Sequence, residues 1–174
     1  ERVTIGKRIG VARGTDMAAL GTAIHACIAA TFTDEGAPLS ADEVSAILSG
    51  LGAGDSVTSK EVLAQIQSLQ GWIAGKWGNP EAYAEIPVEA VLDTGQIING
   101  RIDLLLKVAS GWILLDHKAN PQAADQWDRI ADEYAGQLNA YKCALEQATG
   151  QPVLESWLFF PISAGAIRID SIGH

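Results

Sequence analysis

One stretch constrains this chain more than any other. The apolar run Trp112-Ile113-Leu114-Leu115 ends in Asp116-His117-Lys118, and Gly100-Arg101-Ile102-Asp103 lies just upstream. The run has the character of a buried strand. Side chains alternate along a strand, so Asp116 and Lys118 share one face and His117 takes the other. A carboxylate and an ammonium on a hydrophobic strand are costly to place without a purpose.

Caps and periodicity place the elements around that strand. Residues 1–15 scatter Arg2, Lys7, Arg8 and Arg13 among glycines and read as an irregular basic arm, solvated like most charged segments. Thr15 or Asp16 caps a helix to about Phe32, with Ile24, Ile28 and Phe32 as its core stripe. Residues 33–39, with Gly36 and Pro38, form a loop. Ser40 and Glu43 make a capping box for a short helix to about Ser49, ended by Gly50, Gly52 and Gly54. Thr58 and Glu61 make a second box. Val62, Ile66, Leu69, Ile73 and Trp77 then mark one face of a long helix that Gly78-Asn79-Pro80 stops.

Three strands follow, at 83–91, 96–108 and 112–118. Asp93-Thr94-Gly95 and Ala109-Ser110-Gly111 are turns short enough for antiparallel hairpins. A polar loop covers 119–127. A helix runs from about Asp128 to Thr149 with Leu138, Tyr141 and Leu145 at helical spacing, and Gly150 closes it. Strands at 153–160 and 166–169 complete the order.

Size and composition fit one folded domain over 1–174: an arm (1–15), a helical part (16–80), and a sheet with its helix (81–170). The 48% hydrophobic content suits a globular chain. No apolar span is long enough for a transmembrane helix, and no signal peptide is visible. The expected compartment is the cytoplasm, with Cys27 and Cys143 as buried, reduced thiols. The chain begins at Glu1 rather than Met, so an excised piece of a longer protein is expected. The net charge of −9 predicts weak binding to nucleic acid by the chain alone, because phosphate contacts need Lys and Arg. It does not exclude an acidic metal centre whose partner supplies the basic track.

Five short motifs sit where one site could collect them. They are His25 in Gly21-Thr-Ala-Ile-His25, Glu85 in Glu85-Ile86-Pro87, Asp103, the pair Asp116 and Lys118, and Gln137 with Tyr141 four residues later. Asp103 and Asp116 fall on adjacent antiparallel strands. Two carboxylates ~4 Å apart repel by roughly 4 kcal/mol at an effective dielectric of 20. Either one takes a proton or a cation sits between them. A divalent ion there would polarise a phosphoryl oxygen and acidify a bound water, and Lys118 could orient that water. That is the chemistry of phosphodiester hydrolysis. The His117 carbonyl is a further hard ligand. The His25 imidazole tilts preference from Mg2+ toward Mn2+ without excluding Mg2+.

GxxxH, E-x-P, G-R-I-D, D-x-K and Q-x-x-x-Y, in this order over roughly residues 14–160, resemble the RecB-like nucleases of the PD-(D/E)XK superfamily, nearest to the C-terminal nuclease domain of RecB and AddA helicase-nucleases. The resemblance implies an α/β, restriction-endonuclease-like fold: a central mixed sheet flanked by helices, with an N-terminal helical segment. It implies His25, Asp103 and Asp116 as metal ligands and Lys118 as the catalytic lysine. Glu85 would be an auxiliary acid, and Gln137 and Tyr141 would support the site or the DNA. It implies an Mg2+- or Mn2+-dependent deoxyribonuclease, an exonuclease of DNA repair and recombination. Its partners would be DNA and a helicase motor in the same protein or in a separate protein bound to it.

Two departures stand out. His117 occupies a position where an aromatic is common, and two cysteines cannot build the iron–sulfur cluster of some members. No GxxxxGK[ST] loop is present, so the chain has no ATP site of its own. The competing reading is a catalytically silent DNA-binding or assembly module of the same fold, but the acids such modules lose are intact here. The blander alternatives are a strand-end salt bridge for Asp116 and Lys118, a core histidine for His25, a solvated Glu85, and a surface hydrogen bond for Gln137. The five tryptophans read as core or boundary anchors, with Trp127, in the loop after the site, placed to touch nucleic acid.

Overall fold

The computed structural model describes residues 1–33, 38–91, 95 and 97–169. Gly36 and most of the Asp93-Thr94-Gly95 turn lie outside the described residues.

Side-chain caps set the helix starts. Asp16 accepts from the Ala18 and Ala19 amides and opens α1 (Met17–Thr31). Ser40 and Glu43 form the full reciprocal box at α2 (Ala41–Gly50). At α3 (Ser59–Trp77) only half of the expected box forms: Thr58 accepts from the Glu61 amide. The Glu61 carboxylate turns instead to the Thr58 hydroxyl and the Gly10 amide, because the N-terminal segment passes within reach. Gly78, at φ 77°, ends α3.

Six strands make one mixed sheet in the order β1-β6-β5-β4-β3-β2. β2 (Glu81–Val91) and β3 (Ile97–Val108) pair antiparallel from Glu81↔Lys107 to Val91↔Ile97. β4 (Gly111–His117) returns antiparallel to β3, from Val108↔Gly111 to Leu104↔Leu115. The chain then crosses over through α4 (Trp127–Thr149) to β5 (Val153–Phe160), which runs parallel to β4. β6 (Gly165–Ile169) pairs antiparallel with β5.

The expected basic arm is in part a strand. β1 (Arg2–Thr4) pairs with β6, and Ile5 and Ile9 are each only 2% exposed. The physical reason is the apolar alternation of Val3, Ile5 and Ile9, which covers the open edge of β6. The loop expected to reach residue 127 ends earlier, in a short 3-10 turn at Ala124–Gln126.

The sheet has a core on each face. Leu104, Leu106, Ile113, Leu115, Trp157 and Phe159 pack against α1, α2 and α3. Leu105, Leu114, Leu158 and Phe160 pack against α4. β4 is buried along nearly its whole length, as expected of a strand covered on both faces. Trp157 meets Trp72 and Trp77 edge-on. Trp127 opens α4, is 5% exposed and stacks on Phe160, so it is a core anchor and not a nucleic-acid contact. Cys27 is buried and burial pushes its thiol up to about 11, whereas Cys143, expected to be buried, lies exposed on α4.

Tyr141 locks α4 to the sheet. Its hydroxyl lies over Gly100, where a Cβ would overlap it, and accepts from Gln137 Nε2 at 2.6 Å. Gly100→Ala is therefore expected to cost about 1–3 kcal/mol, the range for overpacking. Thermal unfolding of Gly100→Ala alone and combined with Tyr141→Ala checks this: the glycine substitution should cost much less once the ring is gone.

Candidate active site

The site forms where the β3–β4 hairpin opens. Leu104↔Leu115 is the last bonded pair, and Asp103 and Asp116 are the next residues along the two strands. Asp103 turns its carboxylate inward to accept from the His117 amide at 2.7 Å. Asp116 is 3% exposed and sits 2.7 Å from Lys118 Nζ, on the face where Lys118 lies over the Tyr134 ring of α4. His117 takes the other face, between His25 and Phe159.

α1 delivers His25. Gly21, one turn earlier, leaves only 3.3 Å between a built Cβ and Ala119, so a side chain there would push the helix off the segment leaving β4. The spacing of GxxxH thus has a steric cause: residues four apart share a helix face. His25 Nε2–H donates to the His117 carbonyl at 2.8 Å. Its Nδ1 faces Asp103 Oδ1 at 3.6 Å, beyond hydrogen-bond range.

Burial dominates the electrostatics. Desolvation, then the charge of Asp116, raises Asp103 to about 6, against the pull of His25, the His117 amide and Lys118. Desolvation also raises Asp116, opposed by Lys118 and His25. Burial pulls Lys118 down, but the charge and hydrogen bond of Asp116, with Asp103, more than offset it, so the ammonium is held charged. Burial holds His117 neutral, well below the usual histidine range.

Four of the expected site residues therefore gather at this end of the sheet: His25 and Asp103, whose ligand atoms lie within 4.8 Å of each other beside the His117 carbonyl, and Asp116, which stands outside that close set and pairs with Lys118. Three are set apart. Glu85 stands across from Asp103 on β2 but pairs with Arg101 at 2.8 Å, and its backbone is left-handed at φ 58°. Gln137 and Tyr141 brace Gly100 rather than the acids. The His117 ring joins the site unexpectedly. Neither of its nitrogens has a hydrogen-bond partner, and one of them lies within 4.8 Å of ligand atoms of His25 and Asp103. Its departure from the usual aromatic was the available signal. Tyr134 and Arg101 carried none.

The geometry and the relatives agree on a class. Residues 5–172 match the PD-(D/E)XK nuclease superfamily, and the chain belongs to it. Its curated relatives include an ATP-dependent helicase/nuclease subunit of Desulforudis audaxviator, 29% identical over 174 positions that cover 89% of this chain and 14% of that protein. The same-named proteins of Carboxydothermus hydrogenoformans (34% identical, 46% of this chain, 8% of that protein) and Levilactobacillus brevis (39%, 38% and 6%) match shorter stretches. The chain thus spans a small fraction of the length of these relatives, and it is related to them as a nuclease domain.

A carboxyl raised in the fold binds a proton that the unfolded chain releases, so stability falls as pH rises from about 4 toward about 6. Asp103→Asn keeps the acceptor for the His117 amide and removes the charge. In chelator at pH 7.5 it should melt above wild type, with the gap closing toward pH 4. Melting curves across that pH range check the sign.

Proposed function

We propose that this domain hydrolyses phosphodiester bonds in DNA with a divalent ion, Mg2+ or Mn2+. The observation that supports this most is the meeting of His25, Asp103, Asp116, the His117 carbonyl and Lys118 at one polar end of an apolar sheet. The donors fit such an ion. An imidazole nitrogen of His25 and the hard oxygen of the His117 carbonyl, already together in one hydrogen bond, are donors that such an ion would accept. The two raised carboxyls are groups that a cation would relieve.

His25, Asp103, Asp116 and the His117 carbonyl would hold the ion. When bound, it supplies polarisation of a phosphoryl oxygen and a more acidic water. Lys118 does the rest of the positioning. Its ammonium is kept charged by Asp116 and steadied over Tyr134. From there it orients a water toward phosphorus and stabilises the charge that develops. Asp116 fixes that ammonium as well as serving the ion. Glu85 acts at one remove, through Arg101, and Gln137 and Tyr141 hold β3 in place.

The helicase/nuclease proteins among the relatives support a longer setting: exonuclease action in cytoplasmic DNA repair and recombination, driven by a motor elsewhere in the same protein or in a partner. Among the described residues no helix is long and apolar enough to cross a membrane.

Lys118 separates a nuclease from a silent module. An ammonium has no lone pair for a metal, so Lys118→Ala should keep the fold and Mn2+ binding while losing cleavage by on the order of 100-fold or more. Asp116→Ala should lose cleavage and weaken Mn2+ binding together. Plasmid nicking with and without chelator, and calorimetry with Mn2+, check both. Near wild-type nicking by Lys118→Ala would sink the mechanism. Unchanged Mn2+ binding by Asp116→Ala would remove it from the ligands.

A further inference from the structure

Six of the twelve Lys and Arg residues form ion pairs among the described residues. Arg2 pairs with Asp128, Lys76 with Glu1 and Glu155, Arg101 with Glu85, Lys118 with Asp116, Arg129 with Glu133, and Arg168 with Glu1. Three of the others gather in one place. Lys7, Arg8 and Lys60 line a single groove of about 560 Å³ between the segment after β1 and the first turns of α3. Among the described residues none of the three has a carboxylate partner, on a chain whose net charge is −9. The one acid in the groove, Glu61, accepts from the Thr58 hydroxyl and the Gly10 amide, which hold its carboxyl below the usual range, so it stays ionised and the groove sets three cations against one anion.

The groove is built rather than incidental. Buried Ile5 and Ile9 pin the Gly6-Lys7-Arg8 arch at both ends, their amides donating to Ala164 and Ile162 at 2.9 and 3.0 Å. Gln65, 2% exposed, donates from Nε2 to the Ile5 carbonyl at 2.6 Å. Its Oε1 is buried without a partner on the groove wall. Arg8 reaches across to donate to the Pro121 carbonyl. Pro121 stands three residues beyond Lys118, so the groove adjoins the segment that leaves the candidate active site.

We propose that this groove is a phosphate-binding track for single-stranded DNA, holding the backbone of the strand whose scissile phosphate lies at Lys118. Unneutralised cations on a pinned arch suit a polyanion. No aromatic lines the groove, so it has no stacking platform and reads the backbone without regard to sequence. The assignment rests on the nuclease reading above for its substrate, and it places a basic track on the chain itself rather than on a partner alone.

The test is binding of a labelled oligothymidylate to the whole chain, in chelator, over a series of salt concentrations. Single-strand binding loses about 0.7 of log–log salt slope per phosphate contact removed. Lys7→Ala with Lys60→Ala should lower affinity roughly tenfold and make the slope shallower by about 1.4. Both lysines are exposed, so melting temperature and Mn2+ binding should not move. Arg129→Ala, a surface change of the same sign, should leave affinity and slope as they were. A double variant with wild-type affinity and slope would overturn the groove, as would an equal loss in Arg129→Ala. If such a chain still nicks DNA with Mn2+, the nuclease reading stands without the groove. If the oligonucleotide binds through the two lysines in a chain that never cleaves, the groove stands and the nuclease reading falls.

Discussion

The burial of two carboxyls at the open end of the β3–β4 hairpin is the constraint on which the rest of this structure turns. Asp103 and Asp116 are 9% and 3% exposed, and each is pushed up by desolvation. Their burial would cost several kcal/mol if it went wholly uncompensated. Three neighbours offset part of it: the His117 amide on Asp103, the Lys118 ammonium on Asp116, and the His25 imidazole beside Asp103. All three arrive from elements fixed by ordinary apolar packing. The compensation is incomplete, because Asp103 still sits at about 6. A fold that keeps such a residual cost has been shaped for something other than stability.

Delivery of these neighbours explains the architecture. The parallel crossover from β4 to β5 needs a long connection, and α4 supplies it while laying Tyr134 under Lys118. α1 must come close to the end of β4 for His25 to reach the His117 carbonyl, and the missing side chain at Gly21 allows the approach. The strained backbone at Glu85 lies directly across from Asp103. That irregularity of the sheet stands beside the acids, a second, the register shift of β4 at Trp112 and Ile113, lies at the far end of the strand, and the Trp72, Trp77 and Trp157 cluster is plain packing.

What was legible in the sequence is what local physics decides. Capping residues and helical periodicity placed four helices within a residue or two, and the Gly-containing turns placed the hairpins. Strand alternation put Asp116 with Lys118 on one face and His117 on the other, as found, but did not show that the His117 ring meets His25 and Asp103 there. Features set by distant contacts were not legible. β1 depends on an edge of β6 at the far end of the chain, and four basic residues mask its apolar alternation. Trp127 reads as free because its stacking partner, Phe160, belongs to a strand beyond the next helix. Glu85 groups with the metal acids by motif, but only the folded hairpin reveals Arg101 as its partner. The second capping box closes only by half for the same reason: Gly10, far away in sequence, competes for Glu61.

Net charge illustrates the difference between a sum and a field. A total of −9 argues against contact with a polyanion only if the charges are evenly mixed. Here ion pairs absorb half of the Lys and Arg residues, and exposed pairs of this kind contribute little to stability. Their consequence is spatial: they mute the positive charge around the molecule and leave Lys7, Arg8 and Lys60 as a local concentration of it. Screening over about 8 Å at physiological salt keeps that concentration distinct from the acids farther off. On the proposed reading the acidic bulk would turn a strand away from most of the surface and leave the groove as its approach toward Lys118. The excess of Asp and Glu would thus give the groove its direction.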